Sequence, residues 1–284
     1  MVKRMLKQRI AFLILSVISI GILIAMGSIF VIIFVNGFRV LNWDFLTSIT
    51  SFDFKGMPHG GIGPAIAGTF IVTGLGLVFA VPIGVLSGIY LSEYRNRGKL
   101  FNFLRMMVAN LAGVPSVVHG LFGLAVFVVL FRFGFSILSS ALTLSILALP
   151  IIIVTTENAM RDVPNELREG SFALGSKRWQ SALLVVFPVA LPKVLTGVIL
   201  ASARIAGETA PVLFTGATLY LAHFPTALNQ QFMALPYTIY GLMTTSINIE
   251  ASTSFAYGIA LVLITLITLM NISVVIFRLI KRKV

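Results

Sequence analysis

The chain has 284 residues, 58% of them apolar and 11% charged, with a mean hydropathy of +1.02, which excludes a soluble globular protein. It contains no cysteine, so disulfides, thiolate metal sites and cysteine nucleophiles are excluded as well. A formal net charge of +12 would suit a nucleic-acid binder, but the basic residues divide by side of a membrane instead of forming one surface.

Apolar runs long enough to cross a bilayer predict an all-α membrane protein with about six spans, near residues 10–35, 64–92, 103–130, 136–157, 182–208 and 254–277. The first, Ile10 to Val35, carries no charge and exceeds the apolar core of a secretory signal, so it reads as a retained span. With the N-terminus inside, sixteen Lys and Arg fall on the inner side. They lie in four groups: 3–9, 95–105, 161–178 and 278–283. Only Arg39, Lys55 and Arg132 fall outside. This asymmetry predicts cytoplasmic N- and C-termini.

An external connection follows the first span and ends in GMPHGGIGPAIAGT, Gly56 to Thr69. Pro64 suits a first helical turn, where its missing N–H has no partner to lose. The second span carries Gly84 and Gly88 in small-xxx-small spacing, which predicts close helix packing, and Pro82, which predicts a bend. The third contains GVPSVVHG, Gly113 to Gly120. Pro115 frees a backbone carbonyl and Ser116 can satisfy nearby backbone groups, so the motif marks either a structural kink or the lining of a path. The histidines at 59, 119 and 223 lack ligand spacing, and no metal is expected.

After the fourth span, with Glu157 expected near the inner face, comes a polar stretch. Asp162 and Pro164 are good helix-start residues and Gly175 a good stop. Leu167, Ser171 and Leu174 would share one side, giving a short helix with a docking face or a solvated amphipathic turn. The fifth span opens under Pro188 and Pro192, with Lys193 placed to snorkel to the interface. Arg204 lies eleven residues further on, roughly 16 Å along a helix, which puts it inside the hydrocarbon. Glu208 is four residues beyond, on the same face if the helix continues. A charge at mid-span costs about 2.5–3.5 kcal/mol on insertion scales, so it pairs or faces water. The two form a structural ion pair or a functional one. The segment 209–253 is nearly uncharged and aromatic, suited to the outer interface, a re-entrant loop or a docking surface. No Gly-x-x-x-x-Gly-Lys-Ser/Thr loop occurs, so any ATP must be bound by a partner.

The segment after the fourth span resembles the cytoplasmic coupling loop of ABC-importer permeases. Glu169 is followed by Gly175, then Val185, Phe187 and Pro188 at the matching positions, with Gly170, Ser171 and Phe187 departing from the pattern. GGIGPAIAGT (Gly60 to Thr69), GVPSVVHGLFG (Gly113 to Gly123), VPNELREGSFALGSKRW (Val163 to Trp179) and ARIAGETAPVLFT (Ala203 to Thr215) are similar to phosphate-importer permeases of the PstA type. That resemblance implies a type I ABC-importer (MetI-like) fold. It also implies a core at 64–277 with a coupling loop at 158–181, preceded by a first span and loop at 1–63 and followed by a basic tail at 278–284.

By the same resemblance the chain is a non-catalytic subunit of a bacterial or archaeal cell membrane, with no cofactor of its own. Its partners would be a second homologous permease, a homodimeric cytoplasmic ATPase carrying ATP and magnesium, an external phosphate-binding protein and membrane lipid, with no nucleic acid. Candidate coupling residues are Arg168, Glu169, Ala173 and Gly175. Candidate pathway residues are Arg204, Glu208, Thr209 and Ser116. A guanidinium binds phosphate through two parallel hydrogen bonds. Glu208 would hold Arg204 while no substrate is present and weaken net binding so that phosphate can leave. The rival readings are a permease for sulfate, molybdate or a phosphonate, and an ATP-independent carrier or channel. An intramembrane enzyme is disfavoured, since the spans hold no paired aspartates, His-Glu-x-x-His or Gly-x-Ser-x-Gly.

Overall fold

The computed structural model describes residues 2–52, 58–94, 98–245 and 249–281. Lys55, Arg95, Arg97, Arg282 and Lys283, which entered the charge asymmetry, lie outside the described residues, as do positions 56–57 of the glycine-rich junction. Among the described residues five helices are long and apolar enough to cross a membrane, and a sharply bent pair makes a sixth if counted as one span.

Helix α1 (Val2–Val40) has its most apolar stretch exposed all round, as befits a helix in lipid. Its end leans on α12 (Ile249–Lys281), where Gly37 admits the Tyr257 carbonyl. A short α2 (Trp43–Thr47), capped by the Asn42 side chain, and a hairpin of β1 (Thr50–Phe52) and β2 (Pro58–Gly60) lie in the connection between α1 and the next span. Gly60 there is in the left-handed region at φ 79°, and Gly61 and Gly63 lie against the carbonyls of α2. The glycine run is thus fixed by close backbone approach.

Helix α3 (Gly63–Glu93) runs through Pro82 and packs along α6 (Ile137–Arg161). Gly76, Gly84 and Gly88 face Ala141, Ile152 and Thr156 across this seam, so the expected small-residue packing is present. The main apolar core gathers here, with Leu144, Leu147, Ile152, Ile205 and Phe232 all buried.

The third span departs from expectation. It is α4 (Gly98–Gly113) followed by α5 (Ser116–Gly123), bent by 103° at the break, with a π-helical turn over Leu124–Leu130. Pro115 is the cause: it has no N–H to give and disfavours helical backbone at Val114. After α6 come α7 (Asn165–Ala173), α8 (Arg178–Gln180) and a π-helical stretch, Ser181–Val186, just ahead of Pro188. Then α9 (Phe187–Ala206) ends two residues short of Glu208.

The segment after it is folded into the body. It forms α10 (Ala210–Thr215), a loop with a parallel bridge from Ala217 to Phe232, and α11 (Leu235–Thr245). Phe232, Met233 and Leu235 are fully buried. Gly68 of α3 lets the Met233 carbonyl come close, and Thr69 Oγ1 accepts the Leu235 N–H at 2.9 Å. The GPAIAGT motif is therefore a socket for this segment.

At Gly88 an added Cβ would sit 2.6 Å from Thr156 Cβ and 2.7 Å from the Ile153 carbonyl, whereas at Gly74 it would meet nothing. Gly88→Ala should therefore cost about 1–3 kcal/mol through overpacking. It should lower the thermal unfolding midpoint of the purified protein, with Gly74→Ala as the control that leaves it in place.

Candidate functional site

Two helix breaks meet. The middle of α5 lies against the start of α10, where a Cβ on Gly120 would stand 2.9 Å from the Ala210 carbonyl and 3.1 Å from Pro211 Cα. Only glycine allows this approach. Both half-spans are braced on α6: Ser140 Oγ and Thr215 Oγ1 are 2.8 Å apart, and Gly123 lies under Thr143. Broken helices set near one another in this way are where transporters place polar sites within a membrane.

Arg204 stands at this joint, near the end of α9. Its Nε is 3.7 Å from Glu208 Oε1, with the side chains 55% and 17% exposed respectively. At that separation the two attract without forming a hydrogen bond, and among the described residues no other acceptor occupies the guanidinium donors. Glu208 is not on the same helical face as expected. It lies in the turn after Gly207, where its N–H reaches back to the Ile205 carbonyl at 3.3 Å.

Beside Arg204 is a crevice of about 30 Å³ that it lines with His119, Leu111, Val114, Leu147 and Ile151, room for roughly one water. Ser116 and Thr209, both half-buried, stand at the start of α5 and just before α10. Among the described residues neither is hydrogen-bonded to Arg204. His119 is the crevice residue that spacing arguments set aside; its position one turn after Pro115 was the available signal.

The polar segment at the other end folds as expected, with Pro164 before α7 and Gly175 stopping it at φ 81°. Arg168, expected among the coupling residues, is turned into its own chain. Its Nε and Nη2 donate to Glu93 Oε1 at 3.2 and 3.0 Å, and its remaining donors reach the Met160 and Val163 carbonyls at 2.7 and 2.8 Å. A guanidinium has donors enough for all three acceptors at once. The three residues expected on one side also divide: Ser171 is buried, while Leu167 and Leu174 are exposed. Glu169, Ala173 and Gly175 are exposed as well.

Further ties surround α7. Arg178 donates to the Glu93 carbonyl at 3.3 Å and stacks over Tyr94. Lys193 pairs with Asp162 at 2.9 Å. Buried Glu157 pairs with Arg161 and, at 3.9 Å, with Arg105. Glu93 was not singled out in the sequence, although an acid closing a long apolar span just before a basic loop is a readable signal.

Apolar spans, two of them broken around an arginine, and a folded polar helix between two others define a membrane-embedded transport component. Residues 80–283 match the family described as binding-protein-dependent transport system inner membrane component, and the chain belongs to that family. It is 38% identical over 187 residues to a probable ABC transporter permease, YqgI, of Bacillus subtilis, covering 66% of this chain and 63% of that protein. It is 34% identical over 261 residues to a probable phosphate transport system permease, PstA, of Methanocaldococcus jannaschii, covering 92% and 90%.

Among solved structures, a chain of the inward-facing methionine ABC transporter MetNI superposes with a TM-score of 0.61 at 19% identity, covering 76% of this chain and 95% of that one. The fold is thus that of an ABC-importer permease of the MetI type. The chain is a non-catalytic, multi-pass subunit of the cell membrane that needs no cofactor of its own, working with a separate ATPase and a substrate-binding protein.

The Glu93–Arg168 pair is enclosed, with side-chain exposures of 5% and 14%, whereas Lys193 and Asp162 are 56% and 58% exposed. Glu93→Gln should therefore destabilise the protein by about 3–5 kcal/mol, because it strands a buried guanidinium. Lys193→Gln should cost about 0–1 kcal/mol. Thermal unfolding of the two variants side by side checks the ranking.

Proposed function

We propose that the chain is a permease subunit of an ATP-driven, binding-protein-dependent importer of inorganic phosphate. The similarity to a phosphate permease over nine-tenths of the chain supports the substrate. Within the fold, the observation that carries the reading is Arg204: a half-open guanidinium at the joint of two broken spans, its carboxylate partner held at 3.7 Å. Phosphate is an anion that a guanidinium grips through paired hydrogen bonds. Glu208 steadies Arg204 between transport events and keeps the grip weak enough to release. Ser116 and Thr209, at the starts of the two half-spans, complete the route.

The complex contains a second homologous permease, forming a heterodimer with this one, a homodimeric cytoplasmic ATPase that binds ATP and magnesium, and an external phosphate-binding protein. Both termini are cytoplasmic, residues 64–277 form the transporting core, and 158–181 form the coupling loop. Exposed Glu169, Ala173 and Gly175 present α7 to the ATPase, while Arg168 fixes the helix to α3 and passes its motion on.

In cells stripped of other phosphate systems, this gene should confer uptake of labelled phosphate at low external concentration, insensitive to excess sulfate and molybdate. Losing a bidentate charge-assisted contact worth about 1.5–3 kcal/mol, Arg204→Ala should reduce uptake by roughly ten- to hundredfold at unchanged membrane abundance. Glu208→Gln should alter the rate in the same assay. Uptake untouched by the gene, or by both substitutions, would sink the reading.

Since the native chain has no cysteine, docking can be read directly. Ala173→Cys should cross-link to single cysteines placed in a cleft of the ATPase, and Leu228→Cys in the segment after α10 should not. The reverse pattern would place the ATPase on the opposite side.

A further inference from the structure

His119 is 5% exposed and lines the Arg204 crevice. Its Nδ1 lies 3.3 Å from the Pro115 carbonyl. A carbonyl can only accept, so this contact calls for a proton on Nδ1, and in that tautomer Nε2 carries a free lone pair. The Pro115 carbonyl is itself held by the N–H groups of Val118 and His119, at 3.0 and 3.3 Å, which fixes the ring at the first turn of α5. On the far side of the ring, Nε2 is closed off from solvent and has no partner among the described residues. A buried polar atom left unpaired costs about 1–3 kcal/mol, and such an atom in a native structure calls for an explanation. The charged group that shares the crevice, Arg204, offers donors alone.

Resting on the phosphate reading, we propose that His119 Nε2 accepts the hydroxyl proton of a protonated oxyanion held by Arg204, and so sets the choice of anion within the membrane. Phosphate and arsenate keep at least one acidic hydrogen at neutral pH, whereas sulfate and molybdate keep none. Arginine alone attracts all four. An acceptor beside it bonds the P–OH of phosphate and turns a lone pair against the bare oxygen of sulfate. Sites built to bond a substrate hydroxyl reject analogues that lack it far more strongly than apolar pockets reject size. The crevice is too small for the anion here, so recognition belongs to a conformation in which α5 and α9 have parted.

The test is equilibrium binding of radiolabelled orthophosphate to the purified complex, with sulfate and arsenate as competitors. The external binding protein is left out because it would choose the anion first. Arsenate should compete, and sulfate should be weaker by about a hundredfold or more, as expected of hydroxyl recognition. His119→Leu should narrow that gap by at least about tenfold, a loss of about 1.4 kcal/mol, while His119→Gln, which keeps an acceptor, preserves it. An unchanged phosphate-to-sulfate ratio in His119→Leu overturns the inference and leaves the Arg204 route standing. A wild-type complex that binds neither phosphate nor arsenate removes the phosphate reading and this inference with it.

Should His119→Leu fail to assemble, nitrogen NMR of histidine-labelled wild-type complex decides. The Nε2 signal should be that of an unprotonated nitrogen that shifts with phosphate and not with sulfate. A protonated Nε2, or one indifferent to phosphate, overturns the proposal.

Discussion

The structure depends on the seam between α3 and α6. Lipid supplies no hydrophobic force between helices, so association rests on close packing. Gly76, Gly84 and Gly88 let α6 approach until Ile152 and Thr156 touch the α3 backbone. Helix α6, thus anchored, meets the remaining parts with one small or hydroxylated residue each. Thr143 meets Gly123 and Thr155 meets Gly197 of α9, while Ser140 holds Thr215 at the end of α10. Leu149 and Ile153 pack with Phe101 of α4. Removing the seam would loosen the helix on which both half-spans are braced.

That dependence matters because half-spans are expensive in a membrane. Each break frees backbone groups that lipid cannot satisfy. Helix ends carry the same cost, and the last residue of α10 with the segment after it supplies partners for the start of α6. The Thr215 carbonyl takes the Ser136 N–H at 3.0 Å, and the Gln230 and Leu228 carbonyls take those of Ile137 and Leu138 at 2.9 and 3.0 Å. Thr69 serves Leu235 in the same way. The long uncharged segment thus acts as a cap on the start of α6. With its buried residues 232–235 seated against the body, a stretch with hardly an ionised side chain is neither a span nor a free loop.

Periodicity and composition made the continuous spans, the α3 glycine seam and the stop at Gly175 legible, because each depends on one residue type at one local spacing. Pro115 made a kink legible but not its 103° size, which is set by what α5 meets: Gly120 against α10, ninety residues later in sequence. The same non-locality hid Glu93 from Arg168, 75 residues apart, and left the cap unassigned. For Arg204 the sequence marked the residue, while its setting depends on where α9 stops. That end at Ala206 takes Glu208 off the helix and leaves the guanidinium half-open.

Helices α6 and α9 run from one proposed working end to the other. At the α7 end, Asp162 and Lys193 join them by an ion pair. Further along, Gly197 locks onto Thr155, and beyond that Arg204 and Ile151 line the crevice. Glu93, clasped by Arg168, binds α7 to α3, and α3 is seamed to α6. A push on α7 would therefore be shared by α3, α6 and α9, whose close contacts resist continuous deformation. The half-spans differ. Helix α5 is set off from α4 by a break at Pro115, and α10 from α9 by one at Gly207. If the rigid group tilts, relative movement concentrates at those two breaks. Both border Arg204, so in the proposed importer the joint that yields most readily is also the one that holds the anion.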